Sequence, residues 1–184
     1  MTPFYRLKSL VCLTCLIGVP MTFGSEADTL MENARRGDAE AEYALGEAFA
    51  KGAAGIPKNT VEAAAWFRKA ADQGYEDAEF GLGVMYALGG GVPKDSAEAV
   101  GWFRKAAAKG HRDAAQMLGT YYALGEGVRK DGIEAYAWLD LAARLGSDQA
   151  KELRSDVEKT LPPEQLAKAK LLSLERRERL KIKD

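Results

Sequence analysis

Few side chains in this sequence are equipped for covalent or acid–base chemistry. Two cysteines, Cys12 and Cys15, stand close together near the start, and there is one histidine, His111. A thiolate would supply a nucleophile or metal ligand, and an imidazole an acid, a base or a ligand. Neither has the company those roles require. No second histidine completes a metal site, and no serine is set with His111 and an acid in a recognisable motif. His111 follows Gly110 and reads as a surface turn residue. Three glycine-bearing stretches, Gly52–Asn59, Gly89–Asp95 (GGGVPKD) and Gly125–Asp131 (GEGVRKD), raise the question of a phosphate cradle. Each leads into a helix start. None carries the Lys-Ser/Thr of a P-loop, and no apolar strand precedes them. They read as glycine-capped turns between antiparallel helices. The sequence therefore singles out no catalytic residue, no cofactor site and no metal ligand.

The remaining polar residues that recur are helix caps. Asn59, Asp95 and Asp131 each have a glutamate three residues on, at Glu62, Glu98 and Glu134. A short acceptor at an N-cap bonds the amide three residues later, and the glutamate is expected to reach back to the N-cap amide. Asp77 and Asp113 fall in the first turn of other helices, where the dipole favours them. The segments that follow the caps are copies of one another: Asn59–Gly74 (NTVEAAAWFRKAADQG), Asp95–Gly110 (DSAEAVGWFRKAAAKG) and Asp131–Gly146 (DGIEAYAWLDLAARLG). Trp66, Trp102 and Trp138 repeat every 36 residues. A fixed period of this size marks a stacked repeat array. Ala63, Trp66, Phe67 and Ala70 form one apolar helical face, and Gly74 ends the helix.

A shorter helix precedes each copy. Ala41–Phe49, Ala78–Tyr86 and Ala114–Tyr122 share A-x-x-x-L-G-x-x-aromatic. Glycine inside a helix costs about 1 kcal/mol against alanine. Three in register, Gly46, Gly83 and Gly119, point to close helix packing. The combined pattern A-x-x-x-L-G-x-x-Y-x-x-G-x-G-V-x-x-D-x-x-x-A-x-x-W-x-x-x-A-A-x-x-G resembles the Sel-1-like repeat, a relative of the tetratricopeptide repeat. It covers about Asp38–Ala150 in three repeats. Repeat one departs at Phe49 and Asn59, and repeat three at Leu139. The resemblance implies an all-α fold, a right-handed α/α superhelical solenoid that serves as an adaptor for other proteins. Some relatives pin each helix pair with a disulfide; the cysteines for that are missing here.

Net charge is −1, so no strong field recruits nucleic acid or anionic membrane. Arg6 and Lys8 precede the apolar run Leu10–Val19, which is too short to span a bilayer comfortably. Thr22-Phe23-Gly24 then offers small residues for cleavage. Residues 1–24 are expected to be a signal peptide, which leaves the mature chain without cysteine and without a membrane span. Residues 25–37 read as a half-repeat cap, with Leu30, Ala34 and Gly37 aligned to Phe67, Ala71 and Gly74. Residues 38–74, 75–110 and 111–146 read as the repeats, and 147–184 as a C-terminal helical cap. In that cap Leu161–Glu164 is expected to break a helix over Ser147–Thr160 from one over Gln165–Leu180. Its basic residues Arg176, Arg177, Arg179, Lys181 and Lys183 read as a solvated terminus.

What remains for function is a surface. In the resembled family the first helix of each repeat lines the concave side. Positions facing away from the Ala-Leu-aromatic stripe are Tyr43, Glu47, Phe80, Val84, Gln116 and Thr120. They are the candidate partner-binding residues, for a protein or peptide laid in a partly apolar groove. The same positions could instead seal adjacent repeats together. The favoured reading is a non-enzymatic, monomeric scaffold of the cell envelope or secreted space. An enzyme acting on peptidoglycan would need a carboxylate pair in a cleft, and self-assembly would need uncapped array ends. Mass spectrometry of protein from its own host is expected to find Ser25, or a residue within a few of it, at the N-terminus; an intact Met1 in soluble cytoplasm would refute export.

Overall fold

The computed structural model describes residues 26–182, so the leader expected over residues 1–24 lies outside them. Among the described residues the elements are nine α-helices and no strand. They are α1 (Glu26–Arg35), α2 (Ala39–Lys51), α3 (Thr60–Asp72), α4 (Glu76–Leu88), α5 (Ser96–Ala107), α6 (Arg112–Leu124), α7 (Gly132–Arg144), α8 (Asp148–Thr160) and α9 (Pro163–Leu180). The first helices α2, α4, α6 and α8 each pack on the second helix of the preceding unit; α2, α4 and α6 also pack on that of their own. The chain is thus a two-layer zigzag, the α/α solenoid that the family resemblance implies. Helix α1 stands where a preceding second helix would be, with Ala34 buried beside Leu45.

Each second helix begins on the anticipated acceptor. Asn59, Asp95 and Asp131 take the amides of the second and third helical residues at 2.9–3.2 Å. The glutamates do not close the box. The N-cap amides donate instead to the carbonyls of Phe49, Tyr86 and Tyr122, near the end of each first helix, at 2.8–3.0 Å. The cap therefore ties the two helices of a repeat together, and Glu62 and Glu98 are left in solvent.

The mid-helix glycines sit against the second helices. A Cβ on Gly46 would lie 2.7 Å from the Phe67 ring, one on Gly83 2.6 Å from the Phe103 ring, and one on Gly119 2.7 Å from Leu139. Phe103 and Leu139 are almost wholly buried, so neither can yield. The loops do more than turn. A Cβ on Gly91 would fall 2.0 Å from the Thr60 carbonyl oxygen, and one on Gly127 2.2 Å from that of Ser96. Each loop rests on the start of the preceding second helix.

The C-terminal segment departs from the repeat. Helix α9 begins at Pro163, two residues before the expected start, because proline at the first helical position gives up an amide that had no partner there. It packs on α7. Gly132 occupies the place of Thr60 and Ser96, and the Leu161 side chain lies where its Cβ would be, at 2.7 Å. The basic end is not simply solvated. Arg177 is buried, and Arg176 pairs with Glu134 at 2.6 Å.

Asp140, buried on α7, clamps this end. It accepts from Arg144 on its own helix at 3.0 Å, from Arg154 of α8 and from Ser173 of α9. Burial pushes its carboxyl up, but the hydrogen bonds from Ser173, Arg154 and Arg144 outweigh that and hold it below the ordinary aspartate range. A carboxyl lowered on folding stabilises the fold above its ordinary value, and the contribution is lost as pH falls through the lowered one. Asp140→Asn is expected to cost up to about 3 kcal/mol at neutral pH, the low end for breaking a buried ion pair, because both arginines keep some access to water. Urea melts of the two proteins should converge as the pH falls below the aspartate range; a constant gap would show that the charge is not the cause.

Candidate protein-binding face

The residue that starts each first helix is fixed by the turn before it. Tyr75, His111 and Ser147 stand 36 residues apart and are the N-caps of α4, α6 and α8. His111 is therefore not a surface turn residue. Its Nδ1 accepts from the Ala114 amide at 3.1 Å, its Nε2 lies 3.2 Å from Asp77 Oδ1, and its side chain is only 12% exposed. Ser147 caps in the same way, accepting from the Ala150 amide at 3.1 Å.

These caps meet one position of the first helix before them. Tyr43 lies against Tyr75, ring centroids 5.3 Å apart, and also against Phe67 at 5.6 Å. Phe80 stacks on His111 at 4.6 Å and touches Phe103 at 5.8 Å. Gln116 accepts from the Ser147 hydroxyl and donates to Gln149 at 2.8 Å. Tyr43, Phe80 and Gln116 thus join successive repeats, the second of the two roles the sequence left open for them. All three remain half-buried and not enclosed. Burial, with Glu47 and Asp77 nearby, pushes the Tyr43 hydroxyl up to about 12, so it stays a neutral donor.

The next position along each first helix is less engaged. Glu47 pairs with Lys51 at 2.7 Å, Val84 is half-buried against the core, and the Thr120 hydroxyl donates to the Gln116 carbonyl at 3.0 Å. Thr120 borders an apolar groove of about 300 Å³ between α6, α7 and α8, with Leu124, Leu153 and Val157 in its walls and Lys130 and Asp156 on its rim. Leu124 is 68% exposed, and Leu88, one repeat earlier, is 77% exposed. Sequence reasoning passed over these leucines because they fall at an unspecified position of the shared motif. Their 36-residue spacing at the ends of two first helices was the available signal.

A second unforeseen feature is a buried polar link between the first helix of a repeat and the end of its second helix. Glu42 and Glu79 are 4% and 3% exposed. Glu42 accepts from Gln73 at 2.7 Å, and Glu79 pairs with Lys109 at 2.7 Å. Lys109 also donates to the Gly74 carbonyl at 2.8 Å. The equivalent positions in repeat three are Ala115, in the apolar core, and Leu145, partly buried against it. Among the described residues no His/Cys/Asp/Glu cluster could hold a metal ion, and no helix is long and apolar enough to cross a membrane.

With this architecture in view, comparison with known proteins places the chain. The Sel1 repeat model matches residues 39–75, 76–111 and 112–147, more than half of the sequence. The chain belongs to the Sel1 repeat family. Sel1 repeats typically mediate protein–protein interaction, and the family is generally non-catalytic. A Sel1 repeat protein from Oxalobacter formigenes is 41% identical, with a TM-score of 0.64 over 70% of this chain and 96% of that one. A protective antigen of uropathogenic Escherichia coli with an SLR fold is 32% identical, with a TM-score of 0.64 over 82% of this chain. The match spans only 40% of that antigen's length. Cysteine rich protein B of Helicobacter pylori is 25% identical, with a TM-score of 0.56 over 71% of this chain and 98% of that one. No curated protein matches.

The joint makes a thermal prediction. Phe80→Ala is expected to cost about 2–3 kcal/mol, below the 3–5 typical of a fully buried Phe. At about 2–4 °C per kcal/mol, that lowers the melting temperature by roughly 5–10 °C. Val84→Ala should move it by no more than a few degrees. Equal melts for both variants would mean that Phe80 does not hold the repeats together.

Proposed function

We propose that the protein is an exported, non-enzymatic and monomeric scaffold that holds another protein of the cell envelope or secreted space on its first-helix side. The observation that carries this reading is the pair of exposed leucines, Leu88 and Leu124, set one repeat apart, with the Thr120 groove beside the second. Neither leucine serves the core, and surface leucines repeated at the solenoid period suit a partner helix or extended peptide running along the array. Val84 and Thr120 lie on the same helices, with Glu47 at the equivalent place on α2, and would frame it. Tyr43, Phe80 and Gln116 would contribute their exposed edges. Capping at both ends by α1 and by α8 with α9 supports a single array over an open-ended assembly. The apolar run before residue 24 supports export.

The test compares two variants in the same capture experiment from envelope extract. Leu88→Glu with Leu124→Glu should leave the melting temperature within a few degrees, as exposed changes do. It should also weaken capture at least ~10-fold, since fully burying a leucine against a partner is worth about 1.5–3 kcal/mol. Val61→Glu, an equally exposed change on α3, should leave capture intact. Loss of capture in both, or in neither, would reject the first-helix side as the binding face.

A further inference from the structure

The third tryptophan is housed differently from the other two. Trp66 and Trp102 each carry a lysine from their own helix over the ring, Lys69 and Lys105, both 3.6 Å from the centroid. The equivalent residue in repeat three is Leu141. The cation over Trp138 comes instead from Arg176 of α9, at 3.9 Å. The neighbouring repeat differs as well. Arg68 donates to the Tyr86 hydroxyl and lies 5.7 Å from the Trp102 centroid. Arg104, one period on, donates to the Tyr122 hydroxyl at 3.0 Å, but Arg176 has taken the ring.

The result is a cavity of about 260 Å³ bounded by α5, α7 and α9. Its walls are apolar: Ala107, Ala108, Leu141, Leu180 and the indole of Trp138. Its charged members are all arginines, Arg104, Arg176 and Arg179. Arg104 and Arg179 are exposed. Arg176 uses Nη2 on Glu134, which also accepts from the Trp138 indole at 3.0 Å. Its Nη1 is buried with no hydrogen-bond partner among the described residues. A buried guanidinium nitrogen without an acceptor costs free energy until one arrives. Three cations against the one carboxylate of Glu134 leave the site positive.

We propose that this cavity binds a small carboxylate with an apolar body, its oxygens on Arg176 and a neighbouring arginine and its hydrocarbon against Trp138 and Leu141. At about 30 Å³ per water, the space equals roughly nine waters, which limits the ligand to a short chain or a single side chain. A free short-chain acid and the C-terminal residue of a peptide share this chemistry. The site lies with the second helices and the C-terminal cap, apart from Leu88 and Leu124, and does not depend on the partner reading.

Nitrogen-resolved NMR of the full chain reads the site directly, because its three tryptophans give three indole N–H signals. Octanoate should move the Trp138 signal saturably and leave Trp66 and Trp102 in place. Octanamide should bind at least ~10-fold more weakly, since it lacks the charge the arginines attract. Arg104→Gln with Arg179→Gln should weaken octanoate at least ~5-fold. Ala108→Phe, a change at an exposed wall position, should abolish the Trp138 shift at an unchanged melting temperature. A short peptide ending in leucine, tested with its C-terminal amide, separates the sources: tighter binding than octanoate assigns the site to a protein C-terminus, weaker binding to a free acid. Parallel movement of all three indoles, equal binding of octanamide, or an undisturbed titration in Ala108→Phe would overturn the proposal.

Discussion

The distance between the two helices of a repeat governs this molecule. Gly46, Gly83 and Gly119 offer no Cβ, so Phe67, Phe103 and Leu139 press directly on the first-helix backbone. A glycine costs the isolated helix about 1 kcal/mol relative to alanine. An added methyl would cost about 1–3 kcal/mol in a packed core, and here it would overlap a ring or branch with no room to move. The helix is weakened so that the pair can close. Once the pair is close, the N-cap amide of the second helix reaches the carbonyls of Phe49, Tyr86 and Tyr122. Helix start and helix spacing are then parts of one structure.

Repeat-to-repeat contact is less uniform. One joint is aromatic between repeats one and two, aromatic on imidazole between two and three, and a Gln–Ser hydrogen bond between three and α8. The buried link between the two helices of each repeat varies too, from Glu–Gln to Glu–Lys to Ala with Leu. Because each unit touches only its neighbours, each joint needs to suit one pair of partners and no others. That locality explains how the interfaces diverge while the helix pairs keep their pattern. It also explains the position of His111, whose ring caps α6, stacks on Phe80 and faces Asp77 at once.

The C-terminal end follows a different rule. In place of a fourth second helix packed on α8, α9 lies on α7. Gly132 admits Leu161, Asp140 gathers Arg144, Arg154 and Ser173, and Arg176 takes the face of Trp138. These contacts close the array with charge-assisted bonds where the earlier repeats have loop-on-helix packing. They also leave the apolar, cationic cavity that has no counterpart in the repeat pattern itself.

The sequence by itself determined the helix pairs. The 36-residue period, the Asn/Asp caps and the glycines in register are local signals, and each is set by neighbours within a few turns. The α/α solenoid and the family followed from those residues. Tertiary structure alone decided what the side chains at the seams do. Helical phase placed Tyr43, Phe80 and Gln116 away from the Ala-Leu-aromatic stripe, but their joint partners Tyr75, His111 and Ser147 arrive from the next repeat at an angle that one helix's phase does not contain. Glu42 and Glu79 carry no local signal of burial and are buried because Gln73 and Lys109, at the ends of the second helices, reach across to them. Arg176 and Arg177 looked like a solvated end for the same reason, since nothing in their own helix shows that α9 turns back onto α7. The face of each helix can be read from the repetition; contacts between helices, above all where the repetition stops, depend on the packing angle of the element that meets them.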